Sequence, residues 1–264
     1  MVFEQKIYRY VLHRYKEFFI YVGGLAVLFA RTIRCIFSPG LRKHEVLDQM
    51  NKIGVASMPI VFLISFFTGM VLALQSAYQM QKVSAEMYIA SLVALSLMRE
   101  LGPVLTALII AGRCGAAISA ELGTMKVTEQ LEALESLSAN PVQHLIVPRF
   151  LALLIMVPIL TIYADFFGIL GGYVIGVGKL NITHSLYLKM TYTALSIKDI
   201  MIGVVKSVTF AGIIGIISCF EGINSEGGAE GVGRAATASV VRSFILIIIA
   251  DCFITALFYF TMRG

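Results

Sequence analysis

Long apolar stretches separated by short polar segments dominate this chain. Residues 53–81 form a run of 29 positions without a charged side chain. Four further apolar runs, each interrupted by one or two charged residues, cover residues 87–112, 150–178, 200–220 and 243–262. A helix of about 20 apolar residues is long enough to cross the hydrocarbon core of a bilayer. The pattern therefore predicts an all-α integral membrane protein with five transmembrane helices.

The first 50 residues follow a different pattern. Their longest apolar run, residues 18–30, covers only about 20 Å as a helix, which is too short to cross. Basic residues stand on both sides of this run, and apolar positions recur at helical spacing. The segment 1–50 is therefore predicted to be an amphipathic helix in the cytoplasmic interface. A sixth span is the alternative, and a cleaved signal peptide is disfavoured because no A-x-A site follows.

Composition agrees with a lipid environment. Apolar residues make up 58% of the chain and charged residues 14%, against about a quarter in soluble domains. Little chain is left for a soluble unit, so residues 1–264 are interpreted as one membrane domain. The four cysteines are scattered without metal-like spacing, and neither a metal nor a cofactor is predicted.

The net charge of +5 acts here as an orientation signal. Nine of the 21 basic residues precede residue 53, which predicts a cytoplasmic N-terminus. With five spans, residues 113–149 and 221–242 are then cytoplasmic and the C-terminus is outside. Lys179, Lys189 and Lys198 fall on the outer side and weaken the bias.

Two charges interrupt the second span. Arg99 and Glu100 stand about halfway along it and are followed by Gly102 and Pro103. A charge at the bilayer centre costs at least about 2.5 kcal/mol, and proline removes a backbone donor. The pattern predicts a helix break that lines a substrate site. The alternative is an internal ion pair, although adjacent helical residues point about 100° apart.

Three further charges lie inside predicted spans. Lys206 is the natural third member of the site, because its ammonium can pair with Glu100 or bind a phosphate. Asp165 and Asp251 are lone carboxylates, either protonated, paired with each other or paired with Lys206.

Small residues recur every four positions and predict close helix packing, within the chain or between subunits. They are Gly168, Gly172, Gly176, Ala211 and Gly215.

The cytoplasmic segment 113–149 contains a predicted short helix at 127–139. Thr128 is expected to cap this helix and Asn140-Pro141 to end it. Its apolar side chains (Val127, Leu131 and Leu134) share one face, with Glu129 and Glu132 on another. The pattern favours a surface for docking a partner, and the alternative is that the helix only covers the bundle.

Four sequence blocks resemble a known family. They are GMVLALQ (69–75), ALSLMRELGPVLTALIIAGRCGAAISAELGTMKVTEQLEAL (94–134), PRF (148–150) and GVGRAATASVV (231–241). From about residue 40 onward the chain is similar to the MlaE permeases, which work with MCE-domain proteins to move lipids across the bacterial envelope. Glu132-Ala133-Leu134 also resembles the coupling loop of ABC permeases, with Ser138 where importers have glycine.

The resemblance implies partners and a location. It implies a homodimer in the bacterial inner membrane, a cytoplasmic ABC ATPase dimer and a periplasmic MCE-domain hexamer. Glu129, Leu131, Glu132 and Leu134 would contact the ATPase. The chain carries no G-x-x-x-x-G-K-[ST] motif, so it is not expected to be an enzyme, and ATP hydrolysis is expected from the separate subunit.

The resemblance also implies a phospholipid cavity at the positions of Arg99, Glu100 and Lys206. Leu72 would then receive acyl tails, while Gln75 and Gln79 would meet the headgroup.

Two other functions remain as alternatives. An intramembrane enzyme would need a nucleophile or metal motif, and neither G-x-S-x-G nor H-E-x-x-H occurs. An ion-driven secondary transporter of an amphiphilic substrate would usually show repeated halves.

Overall fold

The computed structural model describes the backbone of residues 2–38 and 43–261 and the side chains of residues 15–17, 19–38, 43–82 and 84–260. Throughout this part of the chain the regular structure is helical, without a β-strand. The predicted all-α class is therefore confirmed.

Eleven α-helices are present in the described residues. They are α1 (Val2–Ile36), α2 (Lys43–Ile53), α3 (Met58–Met80), α4 (Ile89–Ser96), α5 (Gly102–Ile110), α6 (Ala116–Val127), α7 (Gln130–Ser136), α8 (Val147–Gly178), α9 (His184–Ala194), α10 (Ile197–Ile223) and α11 (Gly228–Thr261). Three π-helical turns (Leu97–Leu101, Ala111–Gly115 and Val142–Ile146) and three short 3-10 turns (Val55–Ser57, Gln81–Val83 and Glu86–Tyr88) join some of them.

The predicted helix break at Pro103 is wrong. Helices α4, α5 and α6 follow one another without interruption, joined by the π-turns Leu97–Leu101 and Ala111–Gly115. In the first π-turn the Gly102 N–H donates to the Leu97 carbonyl. This wider register carries the chain past Pro103, which has no N–H to donate. The helix also runs on to Val127, well beyond the predicted end of the second span at residue 112.

Six helical segments of the described chain are long and apolar enough to cross a membrane. They are Tyr15–Ile36, Lys43–Met80, Glu86–Val127, Val142–Gly178, Ile197–Ile223 and Gly228–Phe260. The last five contain most or all of each predicted span. The first lies within residues 1–50, whose interfacial placement stays a prediction because length and composition alone fit both arrangements.

Close packing of small residues joins α3 to α8. A β-carbon built on Gly69 would collide with the carbonyl of Gly168, and one on Gly171 with the carbonyl of Phe66. A β-carbon built on Gly215 of α10 would lie 2.8 Å from the Phe150 ring of α8, a looser contact than the other two but still too close. The predicted close packing is confirmed, and these contacts lie within one chain.

A second, smaller apolar cluster lies at one end of the bundle, where α9 packs against the other helices. Tyr187 of α9 is buried there between Val93 of α4 and Ile175 of α8. Burial raises the pKa of the Tyr187 phenol to about 12, because the apolar surroundings disfavour the phenolate. The cluster therefore fixes α9 across α4 and α8.

Candidate substrate site within the helical bundle

The π-turn Leu97–Leu101 carries the two charges toward α10. Arg99 Nε donates to Asp199 Oδ1 at 2.5 Å, and Lys206 Nζ donates to Glu100 Oε2 at 2.5 Å. Asp199 and Lys206 are seven residues apart, about two helical turns, and so share one face of α10. Arg99 and Glu100 therefore bind different partners, as their angular separation predicts.

Lys206 forms the centre of a four-residue polar cluster. Its side chain is fully buried, and three oxygen atoms lie within 2.8 Å of Nζ, from Glu100, Asp251 and Thr255. The Thr255 hydroxyl also donates to Glu100 Oε1 at 3.1 Å. Asp251 and Thr255 are four residues apart on α11 and share a face. The cluster thus joins the π-turn, α10 and α11.

The charges of this site differ in exposure. Two carboxylates surround one ammonium, a formal charge of −1 when all three groups are ionised. Lys206 is sealed from solvent, whereas the side chains of Glu100 and Arg99 are 41% and 47% exposed. A carboxylate and a guanidinium on adjacent residues therefore remain accessible to a ligand. Such a pair can receive a group that carries both a positive and a negative charge.

Arg99 is positioned by a helix cap. Asp199 is buried, and its Oδ2 accepts hydrogen bonds from the Ser196 backbone N–H at 2.9 Å and the Ser196 hydroxyl at 2.7 Å. This capping box at the start of α10 leaves Oδ1 for Arg99. Sequence reasoning missed Asp199 and Thr255. The Ser-x-x-Asp spacing of 196–199 was a usable signal, and Thr255 was marked only by its position one turn after Asp251.

The two lone carboxylates have different environments. Asp251 pairs with Lys206, which confirms one of the predicted pairings. Asp165 does not join them: it is buried against Gly102, and its Oδ1 has no hydrogen-bond partner. The predicted pairing of Asp165 with Asp251 or Lys206 is therefore wrong.

The three predicted site residues of α3 make no polar contact with Glu100 or Lys206 in the described structure. Gln75 and Gln79 are exposed on α3, and Leu72 is half-buried against the apolar cluster around Tyr187. The polar contacts of Glu100 and Lys206 lead to α10 and α11 instead. The roles of Leu72, Gln75 and Gln79 stay predictions.

The predicted cytoplasmic helix at 127–139 is shorter than expected. Helix α6 extends through Val127, and α7 covers only Gln130–Ser136. Thr128 does not cap α7, because its hydroxyl donates to the Thr124 carbonyl at 2.8 Å. Glu129 has a positive φ of 59°, and this left-handed residue redirects the chain between the helices.

One of the four predicted coupling residues faces inward. Leu131 is only 7% exposed and lies in a cleft with Leu28 of α1, so its assignment as a direct partner contact is wrong. The seven-residue helix α7 packs this side against its own chain. Glu129 and Glu132 are exposed, Leu134 is half-buried, and Glu132 pairs with Lys126 at 2.9 Å.

Comparison with known proteins gives one consistent result. The family model described as "Permease MlaE" matches residues 46–257. A probable ABC transporter permease of Rickettsia typhi is 47% identical over 238 residues, covering 90% of this chain and 92% of the relative. The intermembrane phospholipid transport system permease MlaE of Haemophilus influenzae is 40% identical, over 85% of this chain and 87% of its own. A probable ABC transporter permease of Synechocystis is 38% identical, covering 89% of this chain and 94% of the relative.

Proposed function

Since the chain belongs to the MlaE permease family of ABC transporters, we propose that it is the membrane subunit of a transporter that moves phospholipids out of or into the bacterial inner membrane. The observation that carries this proposal is the polar cluster around Lys206, which lies inside apolar helices and leaves Glu100 partly exposed. Charged groups in such surroundings are expensive and typically mark a substrate pathway.

The chemistry of the site suits a phospholipid headgroup. The guanidinium of Arg99 is a strong partner for a phosphate, and its Nε is held by Asp199 while other N–H groups remain available. The partly exposed carboxylate of Glu100 suits the amine of a zwitterionic headgroup. Leu72 is assigned to the acyl tails, with Gln75 and Gln79 as secondary headgroup contacts.

The proposed orientation places the N-terminus and α7 in the cytoplasm, with α1 in the interface. The contacts of α1 support this placement. Tyr21 packs edge-on against Phe220 near the end of α10, and Phe29 packs against Phe150 near the start of α8. Asn140 donates to Cys35 at 3.6 Å. All three partners lie at the cytoplasmic level in this orientation, as expected for a helix that runs across the bundle.

The proposed assembly is a homodimer with an ABC ATPase dimer on the cytoplasmic side and an MCE-domain hexamer on the periplasmic side. Helix α11 supports a subunit contact, because only 11% of its most apolar window is buried within this chain. The exposed carboxylates of Glu129 and Glu132 support docking of the ATPase through α7.

A reconstitution experiment tests this function. The chain is produced together with its ATPase partner, and transfer of labelled phospholipid out of proteoliposomes is followed with and without ATP. We expect ATP-dependent transfer that Glu100→Gln abolishes and Glu86→Gln, at an exposed outer position, leaves intact. Transfer that needs no ATPase and resists vanadate would replace this proposal with the secondary transporter.

A further inference from the structure

An apolar hollow lies between α1 and the bundle, away from the polar cluster. Its volume is about 550 Å³. Val22, Leu25 and Phe29 of α1 form one side, and residues 208–217 of α10 form another. The one hydroxyl in its lining, that of Thr209, is already bonded to the Val205 carbonyl at 2.9 Å. The hollow therefore offers no free polar side chain and suits an aliphatic occupant.

A cation stands at one end of this hollow. Arg242 lies one turn before Leu246, which lines the hollow, and its guanidinium covers the ring of Tyr21 at 4.4 Å. Arg242 also pairs with Glu221, to which Tyr21 Oη donates at 2.7 Å. The Glu221 side chain is 10% exposed and that of Arg242 is 46% exposed. The accessible side of this pair is therefore positive.

The dimensions of the hollow match one leaflet. Its α10 wall, residues 208–217, rises about 13 Å, close to the roughly 15 Å depth of half a hydrocarbon core. Thr209, at the far end, is three residues from Lys206. The hollow thus extends from the level of Arg242 to within one turn of the central polar cluster.

We propose that this hollow binds one acyl chain of an anionic phospholipid from the cytoplasmic leaflet, with the lipid phosphate on Arg242. An amphiphile satisfies both parts of the site, because the chain fills the apolar volume and the phosphate accepts N–H groups that Glu221 does not use. The proposal rests on the orientation given under the proposed function.

The absence of tryptophan from the chain allows a direct test. Single-tryptophan variants Leu246→Trp, in the hollow, and Ile245→Trp, exposed beside it, are reconstituted in phosphatidylcholine containing a minor fraction of brominated phosphatidylglycerol. Bromine quenches nearby tryptophan fluorescence. We expect about fivefold stronger quenching per brominated lipid for Leu246→Trp, the enrichment that one cation near an anionic lipid provides.

Two second-site changes define the binding site. Arg242→Gln in the Leu246→Trp background should reduce quenching to the Ile245→Trp level, whereas Arg234→Gln on the same helix should not. Gly212→Phe should have the same effect by filling the hollow, since a β-carbon there meets no atom within 4 Å. Gly23→Phe, at an equally open position outside the lining, is its control.

Three results would overturn the proposal: equal quenching of the two tryptophan variants, quenching that ignores Arg242→Gln, or a Leu246→Trp signal protected from lipid, which would mean that another copy of the chain covers the hollow. The measurement uses neither the ATPase nor transport. A negative result would leave the central substrate site standing, and failure of that site would leave this inference intact.

Discussion

The ammonium of Lys206 and the carboxylate of Glu100 lie 2.5 Å apart, although 106 positions separate the two residues along the chain. Lys206 is fully buried and Glu100 is not. The ammonium of Lys206 is therefore stabilised in apolar surroundings by its partners, and the side chain of one partner, Glu100, remains partly exposed at the surface of the chain. In the proposed function, stability and substrate binding depend on the same ion pair, and a suitable set of variants separates them.

Replacing the buried lysine alone should be strongly destabilising. Lys206→Met leaves Glu100 and Asp251 without their counter-charge; breaking a fully buried pair costs about 3–5 kcal/mol, and because both carboxylates are partly exposed the loss should lie toward the lower end of that range. We expect a corresponding fall in the free energy of unfolding in mixed micelles. Lys189→Met, at an exposed position on α9, should stay within about 0.5 kcal/mol of the parent. Equal stability of the two variants would show that the Lys206 charge does not stabilise the fold.

Neutralising the whole cluster should restore the fold without restoring function. The triple variant Glu100→Gln, Lys206→Met, Asp251→Asn removes all three charges at similar side-chain volume. Replacing a buried charge network by well-packed apolar groups is often neutral for stability; here the buried lysine becomes apolar, and the two new amides stand at partly exposed positions. We expect most of the unfolding free energy to return while ATP-driven lipid transfer remains absent. Transfer at the parent rate would assign the cluster a purely structural role.

The helix cap on Arg99 offers a milder change. In Asp199→Asn one carboxylate oxygen becomes an amide donor, so the side chain cannot accept from both Ser196 and Arg99. We expect a loss of about 1 kcal/mol in unfolding free energy. Transport should fall further than this loss explains, because Arg99 is no longer oriented. Asp48→Asn on α2, where the carboxylate is exposed, is the matched control.

The helical bundle was accessible from sequence because lipid allows few alternatives. A chain such as residues 53–81 has to satisfy its backbone hydrogen bonds internally, and a helix does so. The continuity of the helix at Pro103 was not accessible in the same way. A π-turn differs from a helix break by the register of a few hydrogen bonds, and the pattern of residues 97–103 is compatible with both.

The site was only half accessible from sequence. Arg99, Glu100 and Lys206 stand out because each is a charge among apolar residues. Asp199 and Thr255 become partners only through the rotation and depth of helices about 100 or more positions away. The prediction that Leu131 contacts a partner failed for a related reason. An apolar stripe on a short helix does not reveal whether the stripe faces a partner or the helix's own chain.

Helix packing between α3 and α8 gives a test that does not involve the site. A methyl group on Gly171 would collide with the carbonyl of Phe66, and backbone cannot move aside as a side chain can. Gly171→Ala should therefore lose at least about 1–3 kcal/mol of unfolding free energy and purify in low yield. Gly178→Ala, where the methyl group meets no atom within 4 Å, should purify normally. Normal yield of both variants would contradict the close approach of the helices.

Docking of the ATPase provides the last prediction. Glu129 and Glu132 are exposed at the start of α7, and Glu132 already neutralises Lys126 at 2.9 Å. Glu129→Lys with Glu132→Lys therefore changes the local charge by four units and places two new lysines beside Lys126. Like charges at a docking surface cost several kcal/mol, so the double variant should fold but release the ATPase during purification. Glu86→Lys, on the side that the proposed orientation places outside, should retain it. If the double variant retains a full complement of ATPase, α7 is not the docking surface.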